Sequence, residues 1–240
     1  MYFIEQKFMR LNKFLSSRGS YSRRAVDKLI QADRISINGK IARLGDKVSE
    51  GDEIKVDGEL ISKGKKKKKP IYLMFNKPLG IECTTNTNTK NNIIDFIGYP
   101  KRIFPVGRLD KDSEGLIFLT NDGEVVNKIL RSENNNEKEY VVGVNKKVNA
   151  DFLNKMRNGV KLNNTVTKKC KIEKLDNYSF KIVLTQGLNR QIRKMCAQYD
   201  YRVKHLKRVR IINISLGKLR LGKFRKLTSL ELDNLMDKIN

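Results

Sequence analysis

The sequence predicts an α+β protein: a small, basic N-terminal module followed by a larger domain of strands and helices. Two helix-like stretches and then two alternating, strand-like runs occupy residues 9 to 61. A lysine block, Lys65 to Lys69, then breaks the pattern. From Ile71 to the C-terminus, short apolar runs alternate with amphipathic stretches, the composition of a mixed sheet flanked by helices.

Taken in order, Leu11, Phe14 and Leu15 have helical spacing, and a second helix follows Ser20-Tyr21-Ser22 with Ala25, Val26, Leu29 and Ile30 on its apolar face. Arg34 to Lys40 alternates like a strand and ends in Asn38-Gly39, a tight-turn signal. Glu53 to Asp57 is a second alternating run. Basic residues Arg10, Lys13, Arg18, Arg23, Arg24 and Lys28 crowd the two helices. Residues 62–70 carry like charge with nothing to bury, so an extended linker is expected there.

The domain at 71–240 opens with a strand at Ile71 to Phe75 and a turn at Asn76 to Gly80. A short helix over Asn91 to Ile97 comes next. Ile103 to Val106 and Leu116 to Leu119 read as strands flanking a charged loop, Gly107 to Gly115. A polar loop held between buried strands is where a scaffold presents reactive groups, and this one offers two carboxylates, Asp110 and Asp112. A helix carries Val125, Val126, Ile129 and Leu130; a strand spans Glu139 to Val144, with Tyr140, Val142 and Val144 on one face. A helix over 151–157 packs Phe152, Leu153 and Met156. Tyr178 to Thr185 reads as a strand and Gln186 to Asn189 as a turn. Ile192, Met195, Cys196 and Tyr199 then form one helical stripe, leaving Arg190, Arg193 and Lys194 off it. Strands at Val203–Val209 and Ile211–Leu216 follow. Thr228 to Glu231 is a capping box for a last helix bearing Leu232, Leu235, Met236 and Ile239.

The charge decides the class of partner. With 51 Lys+Arg against 26 Asp+Glu the chain carries +25, a surplus that favours a polyanion, nucleic acid first. A membrane surface is the weaker reading, because no long apolar span is present. Cys83, Cys170 and Cys196 are too few and too scattered for a disulfide framework or a zinc site, and the single histidine, His205, has no partner motif and reads as structural. No metal is expected. The first residues lack the apolar core of a signal peptide, so a reducing cytoplasm is the expected location.

Two resemblances sharpen this. Arg10-Leu-Asn-Lys-Phe-Leu15, Ser22-Arg-Arg-Ala-Val26, Ile37-Asn-Gly-Lys40 and Gly51-Asp52 together resemble the S4 RNA-binding domain, assigned to 9–61, whose helix pair grips RNA backbone. Gly107-Arg-Leu-Asp-Lys-Asp-Ser-Glu-Gly-Leu-Ile-Phe-Leu-Thr-Asn-Asp-Gly123 looks like the signature of the RsuA/RluB/RluE/RluF group of pseudouridine synthases. Asn76-Lys-Pro-Leu-Gly80, Lys138-Glu-Tyr140 and Gly187-Leu-Asn-Arg-Gln-Ile-Arg-Lys-Met195 match its other motifs in order. Asn189 to Arg193 and Val166-Thr-Lys-Lys-Cys170 look most like the RluF type, which acts on large-subunit ribosomal RNA.

The resemblance implies a mixed, mainly antiparallel sheet with flanking helices at 71–240. It implies isomerisation of a uridine within 23S ribosomal RNA, with a transfer-RNA anticodon-loop uridine as a second candidate substrate. The reaction neither gains nor loses an atom, so no cofactor is required. Asp110 takes the place of the family's carboxylate, Tyr140 that of its base-stacking aromatic, and Arg193 that of the basic residue pairing with the carboxylate. Asp112 falls to bracing its own turn. Arg10, Lys13, Arg23, Arg24, Lys77, Arg108, Arg190 and Lys194 are the expected RNA contacts, Arg108 filling the space of a flipped-out base or holding a phosphate. A monomer is expected. By spacing alone, Tyr140 reads better as an ordinary strand tyrosine facing a core with Val142 and Val144, and Arg193 is a solvent-facing helix arginine or a phosphate contact shared with Arg190 and Lys194. The rival reading is a non-catalytic S4-domain RNA-binding or ribosome-assembly protein.

Overall fold

The computed structural model of the chain describes residues 8–18, 21–49, 51–61, 69–163 and 165–239. It divides into two compact units, Met1–Pro70 and Ile71–Asn240; residues 62–68 of the expected linker lie outside the described residues.

In the first unit the helices are Leu11–Ser17 and Arg23–Gln31, the second capped by Ser22, whose Oγ accepts from the Ala25 N–H at 3.0 Å. Asn12 Nδ2 donates to Asp27 Oδ1 at 2.9 Å, tying the pair together. Leu11, Leu15, Val26 and Ile30 are buried against Ile35, Val48, Ile54 and Val56. Each such side chain stabilises the fold by about 1.5–3 kcal/mol. A four-stranded antiparallel sheet runs in the order Lys40–Ile41, Ile35–Ile37, Ile54–Val56, Glu59–Leu60. Asn38 and Gly39 both have positive φ, +50° and +81°, as the expected hairpin turn requires.

The second unit is built on nine strands: β1 (Tyr72–Lys77), β2 (Phe104–Val106), β3 (Glu114–Thr120), β4 (Lys138–Val144), β5 (Lys171–Lys174), β6 (Ser179–Leu184), β7 (Val203–Ile211), β8 (Ile214–Ser215) and β9 (Phe224–Lys226). Five helices accompany them: α1 (Ile93–Ile97), α2 (Gly123–Leu130), α3 (Ala150–Arg157), α4 (Gln191–Ala197) and α5 (Ser229–Ile239). The sheet order is β5-β6-β4-β7-β3-β1-β9, with β8 paired to β7 and β2 to β3. Every pairing is antiparallel except β7 with β3, so the sheet is mixed and mainly antiparallel.

That single parallel seam sets the chemistry's location. Lys207 and Arg208 of β7 lie beside Glu114 and Gly115 at the end of the charged loop. Gly115 has φ +104°, and a Cβ there would fall 2.7 Å from the backbone nitrogen of Arg208. Only glycine lets the loop re-enter the sheet against β7. On one side of the seam, Val142, Phe180, Ile182, Ile192, Met195 and Cys196 form a core with α3. On the other, Leu73, Phe75, Ile93, Leu109, Ile117 and Leu119 form a second.

Helix expectations correspond closely to these elements. The Ile192, Met195 and Cys196 stripe is buried. Thr228 Oγ1 accepts from the Glu231 N–H at 3.2 Å while Glu231 Oε2 accepts from the Thr228 N–H at 2.9 Å, a capping box with both bonds formed. Arg225 adds a two-pronged ion pair to Glu231 at 2.7 Å on each oxygen, and the Glu231 carboxyl is held at about 2. Two features differ from expectation. β1 runs on to Lys77 because Asn76 and Lys77 pair with Leu116 and Gly115. The stretch from 158 to 174, without a clear sequence period, forms a small hairpin (Lys161–Leu162 with Thr165–Val166) and the edge strand β5.

Candidate active site

The loop from Gly107 to Ser113 is anchored at each turn. Leu109 is buried, and its N–H donates to Cys83 Sγ at 3.4 Å. The Gly80 N–H donates to the Lys111 carbonyl at 2.8 Å, and the Ser113 N–H to the Asp110 carbonyl at 3.0 Å. Ser113 is itself buried. With its neighbours tied to Gly80, to Cys83 and within the loop, Asp110 is left part-exposed at the crown of the loop, its side chain 35% accessible.

Three basic groups from other elements meet this loop. Arg190 caps α4 in the left-handed conformation, φ +51°, which turns its side chain back toward the loop. Its Nη1 and Nη2 donate to the two carboxylate oxygens of Asp112 at 3.0 and 2.8 Å, and Nη1 is 3.6 Å from Asp110 Oδ2. This fork holds the Asp112 carboxyl below its ordinary range. Arg193, one turn on, donates from Nη2 to the Asp112 carbonyl at 2.6 Å and from Nη1 to the Val203 carbonyl at 3.2 Å. Its Nε lies 3.4 Å from Asp112 Oδ2, outside hydrogen-bond geometry. Lys77, from β1, is fully buried beneath the loop and donates to the Ile81 and Pro78 carbonyls at 2.8 and 3.0 Å. Burial pulls its ammonium down, partly offset by Cys83, Asp110 and Asp112.

Two clefts meet at Asp110, of about 720 and about 1250 Å³. The first has a floor set by strand alternation. Lys138 and Tyr140 of β4 share a face with Leu206 and Arg208 of β7, Tyr140 lying directly across from Arg208. Leu184 and Ile192 add apolar surface. Tyr140 is half-buried and packs against both cores, so its ring reaches the cleft while its backbone stays in the sheet. A register shift between Glu139 and Tyr140 accompanies this placement. An acid at the rim, an aromatic at the floor and buried cations beside it can receive a planar, uncharged ring and stabilise charge that develops on it.

Asp110, Tyr140, Arg108 and Arg190 all line this first cleft. Lys194 is exposed, its Nζ bonded to Asn189 Oδ1 at 3.2 Å. Arg10, Arg23 and Arg24 are exposed in the first unit and Lys13 is partly so. Two expectations are corrected. Lys77, expected at RNA, has no surface to offer one; it supports the loop from beneath. Arg193, expected against Asp110, is bonded to the backbone and carboxylate side of Asp112, and the guanidinium near Asp110 belongs to Arg190. Asp112, expected at its own turn, also has a partner from another element: both its carboxylate oxygens accept from Arg190.

Arg208 was invisible to motif reasoning. A signal existed: in the alternation of Val203 to Ile211 a charged residue falls on the inward phase with Leu206. Among the described residues, no cluster of three metal-ligating side chains occurs and no helix is long and apolar enough to cross a membrane.

A family model described as RNA pseudouridylate synthase matches residues 71–198, and one described as S4 domain matches residues 9–54. The dual-specificity RNA pseudouridine synthase RluF of Escherichia coli (strain K12) is 49% identical over 227 residues, covering 95% of this chain and 78% of that protein. An uncharacterized RNA pseudouridine synthase of Aquifex aeolicus (strain VF5) is 36% identical over 234 residues, covering 95% of this chain and 93% of its own. Among solved structures, the crystal structure of a pseudouridylate synthase has a TM-score of 0.70 at 31% identity, covering 95% of this chain and 99% of that one.

Proposed function

Since the chain belongs to the RNA pseudouridylate synthase family and carries an S4 domain, we propose that it isomerises a specific uridine of large-subunit (23S) ribosomal RNA with Asp110 as its reacting carboxylate. Membership of the family makes the chain an RNA pseudouridine synthase, an isomerase of uridine in RNA. Similarity to a relative named for dual specificity supports a second RNA substrate, for which a transfer-RNA anticodon-loop uridine is our candidate. The proposed setting is the cytoplasm, with the enzyme working as a monomer and without a membrane or metal partner.

One observation carries the assignment of roles: Asp110 and Tyr140, thirty positions apart in sequence, line one cleft. A uridine stacked in RNA has to be extruded to reach it, at a cost of about a few kcal/mol that stacking on Tyr140 offsets. Asp110 attacks an electrophilic carbon, uracil C6 or ribose C1′. Arg190 balances the charge of the two loop acids, Arg193 holds the loop backbone, and Arg108 occupies the vacated space or a phosphate. The module at 9–61 reads RNA through Arg10, Lys13, Arg23 and Arg24, joined by a basic linker at 62–70 to the catalytic domain at 71–240.

The test is Asp110→Asn. Pseudouridine formation in ribosomal RNA, followed by tritium release from C5-labelled uridine, is expected to vanish while RNA affinity stays nearly intact. Full activity in that variant would refute the mechanism. Mapping pseudouridines in total RNA from cells with and without the protein identifies the uridine.

A further inference from the structure

The first cleft contains a cation that the proposed mechanism leaves unused. Arg208 is 4% exposed, on the cleft floor across from Tyr140. Its Nε donates to the Leu116 carbonyl at 2.6 Å, which fixes the guanidinium plane against β3 immediately after the Asp110 loop. Its Nη2 is buried and, among the described residues, has no acceptor. Leaving a guanidinium N–H buried and unpaired costs about 1–3 kcal/mol or more, so such a group calls for an explanation. The cleft floor it shares is otherwise lined by Lys138, Tyr140, Leu206 and Ile192, none of them acidic. The Lys138 ammonium donates to the Asn136 carbonyl at 3.2 Å. Two buried cations on one apolar floor are mutually repulsive when the cleft is empty, and an incoming acceptor relieves both.

We propose that Arg208 is a substrate-binding residue of this pocket, donating from its guanidinium to a carbonyl oxygen of the extruded uracil, with the Lys138 ammonium adding to the positive potential there. The inference rests on the uridine-isomerising reading and adds the group that takes up the charge on the base. Both routes open to Asp110 create that charge. In attack at C1′, a carboxylate oxygen bonds to C1′ as the C1′–N1 bond breaks, and the electron pair leaves with uracil, shared among N1, O2 and O4. In addition at C6, a carboxylate oxygen bonds to C6 and the pair of the C5–C6 double bond moves through C4 onto O4. Either way a neutral carbonyl oxygen becomes anionic. A prealigned, desolvated donor binds that oxygen more tightly than it binds the ground state, which is the condition for lowering a barrier. The tie to Leu116 makes the alignment rigid.

The experiment crosses an enzyme change with a substrate change. Full-length enzyme and the variants Arg208→Met and Arg208→Lys act on in vitro transcribed large-subunit ribosomal RNA made with uridine, 2-thiouridine or 4-thiouridine. Single-turnover rates are read by nucleoside chromatography of the digested RNA. Sulfur is a weaker acceptor, so the unmutated enzyme is expected to slow by about tenfold with one of the two thio RNAs. Arg208→Met is expected to react about 10²-fold more slowly than the unmutated enzyme with uridine RNA. It should lose no more than about twofold further with the thio RNA, because the bond is already gone. Arg208→Lys, which keeps the charge and loses the fork, should fall between them.

Equal thio effects in the unmutated enzyme and Arg208→Met would overturn the assignment, even with a slow variant, since a packing role leaves the substrate term unchanged. If Arg208→Met does not fold, as circular dichroism would show, the same comparison with Arg208→Lys decides. Absence of any pseudouridine with the unmutated enzyme and uridine RNA would instead remove the reading beneath it, and this inference too.

Discussion

Arg190 and Asp112 form a two-pronged ion pair, 3.0 and 2.8 Å, across the mouth of the cleft, and the same guanidinium lies 3.6 Å from Asp110. One arginine therefore serves two acids that the linear motif presents as near-equivalents. Asp112 has it in full and Asp110 has it in passing, which leaves Asp110 the less engaged of the two.

The two acids should separate sharply under mutation. Asp110→Asn is expected to lower pseudouridine formation by more than about 10³-fold. Asp112→Asn should cost about tenfold or less, because the loop remains tied through the Asp112 carbonyl to Arg193. The pair is half-exposed, so its loss should change stability by only about 0–1 kcal/mol. Single-turnover rates and urea unfolding of both variants check this; equal kinetic losses would contradict it.

Gly115→Ala should be among the most damaging conservative changes in the domain. The added methyl would sit 2.7 Å from the Arg208 nitrogen at a backbone φ of +104°. Neither strand can retreat without opening the seam, and about 3 kcal/mol or more of destabilisation is expected. Urea denaturation of residues 71–240 reports it; Gly123→Ala, with open space around its Cβ, is the control.

Lys138 links stability to pH. Burial, and then the neighbouring Arg208 charge, bring its ammonium down to about 8 from 10.5. The folded state thus binds fewer protons than the unfolded state between those values, and this group makes stability rise with pH across that window. Below about pH 8 the protein carries a buried charge at a cost on the order of 3 kcal/mol. Lys138→Met should accordingly raise the urea midpoint at pH 7, with the advantage shrinking by about pH 9.5.

Removing residues 1–62 should leave the second unit folded, since its cores are drawn from its own residues. RNA affinity should fall and selectivity for the target site weaken. Filter binding and thermal unfolding of the truncated protein separate the two effects. Undiminished affinity and selectivity would deny the S4 domain its role as reader.

Local order was legible wherever a period and its punctuation coincided. The α4 stripe, the Ser22 cap, the Asn38-Gly39 turn and the Thr228–Glu231 box each lie within a few neighbouring residues, and each forms as expected. Pairings across the chain were not legible. Nothing near Lys77 says that its stem is covered by β3 and the loop, and its exposure was misjudged for that reason. Arg190 and Arg193 lie three positions apart on a helix start. Which of them approaches Asp110 depends on a left-handed backbone turn at Arg190 that helical spacing does not encode. The edge strand β5 escaped notice because a four-residue run with one buried side chain, Ile172, carries almost no period.

The parallel seam also orders events in time. Arg208 and the Leu116 carbonyl it binds are 92 residues apart in sequence. Parallel neighbours must wait for the intervening chain, and long loop closures make such contacts late ones in folding. A growing polypeptide that has emerged as far as residue 200 possesses its Asp110 loop, Tyr140 and α4 but lacks the strand that floors the cleft. On the proposed function, the nascent chain can thus hold RNA through its first unit well before it has anywhere to put a uracil. Binding competence precedes chemical competence on the ribosome that makes it.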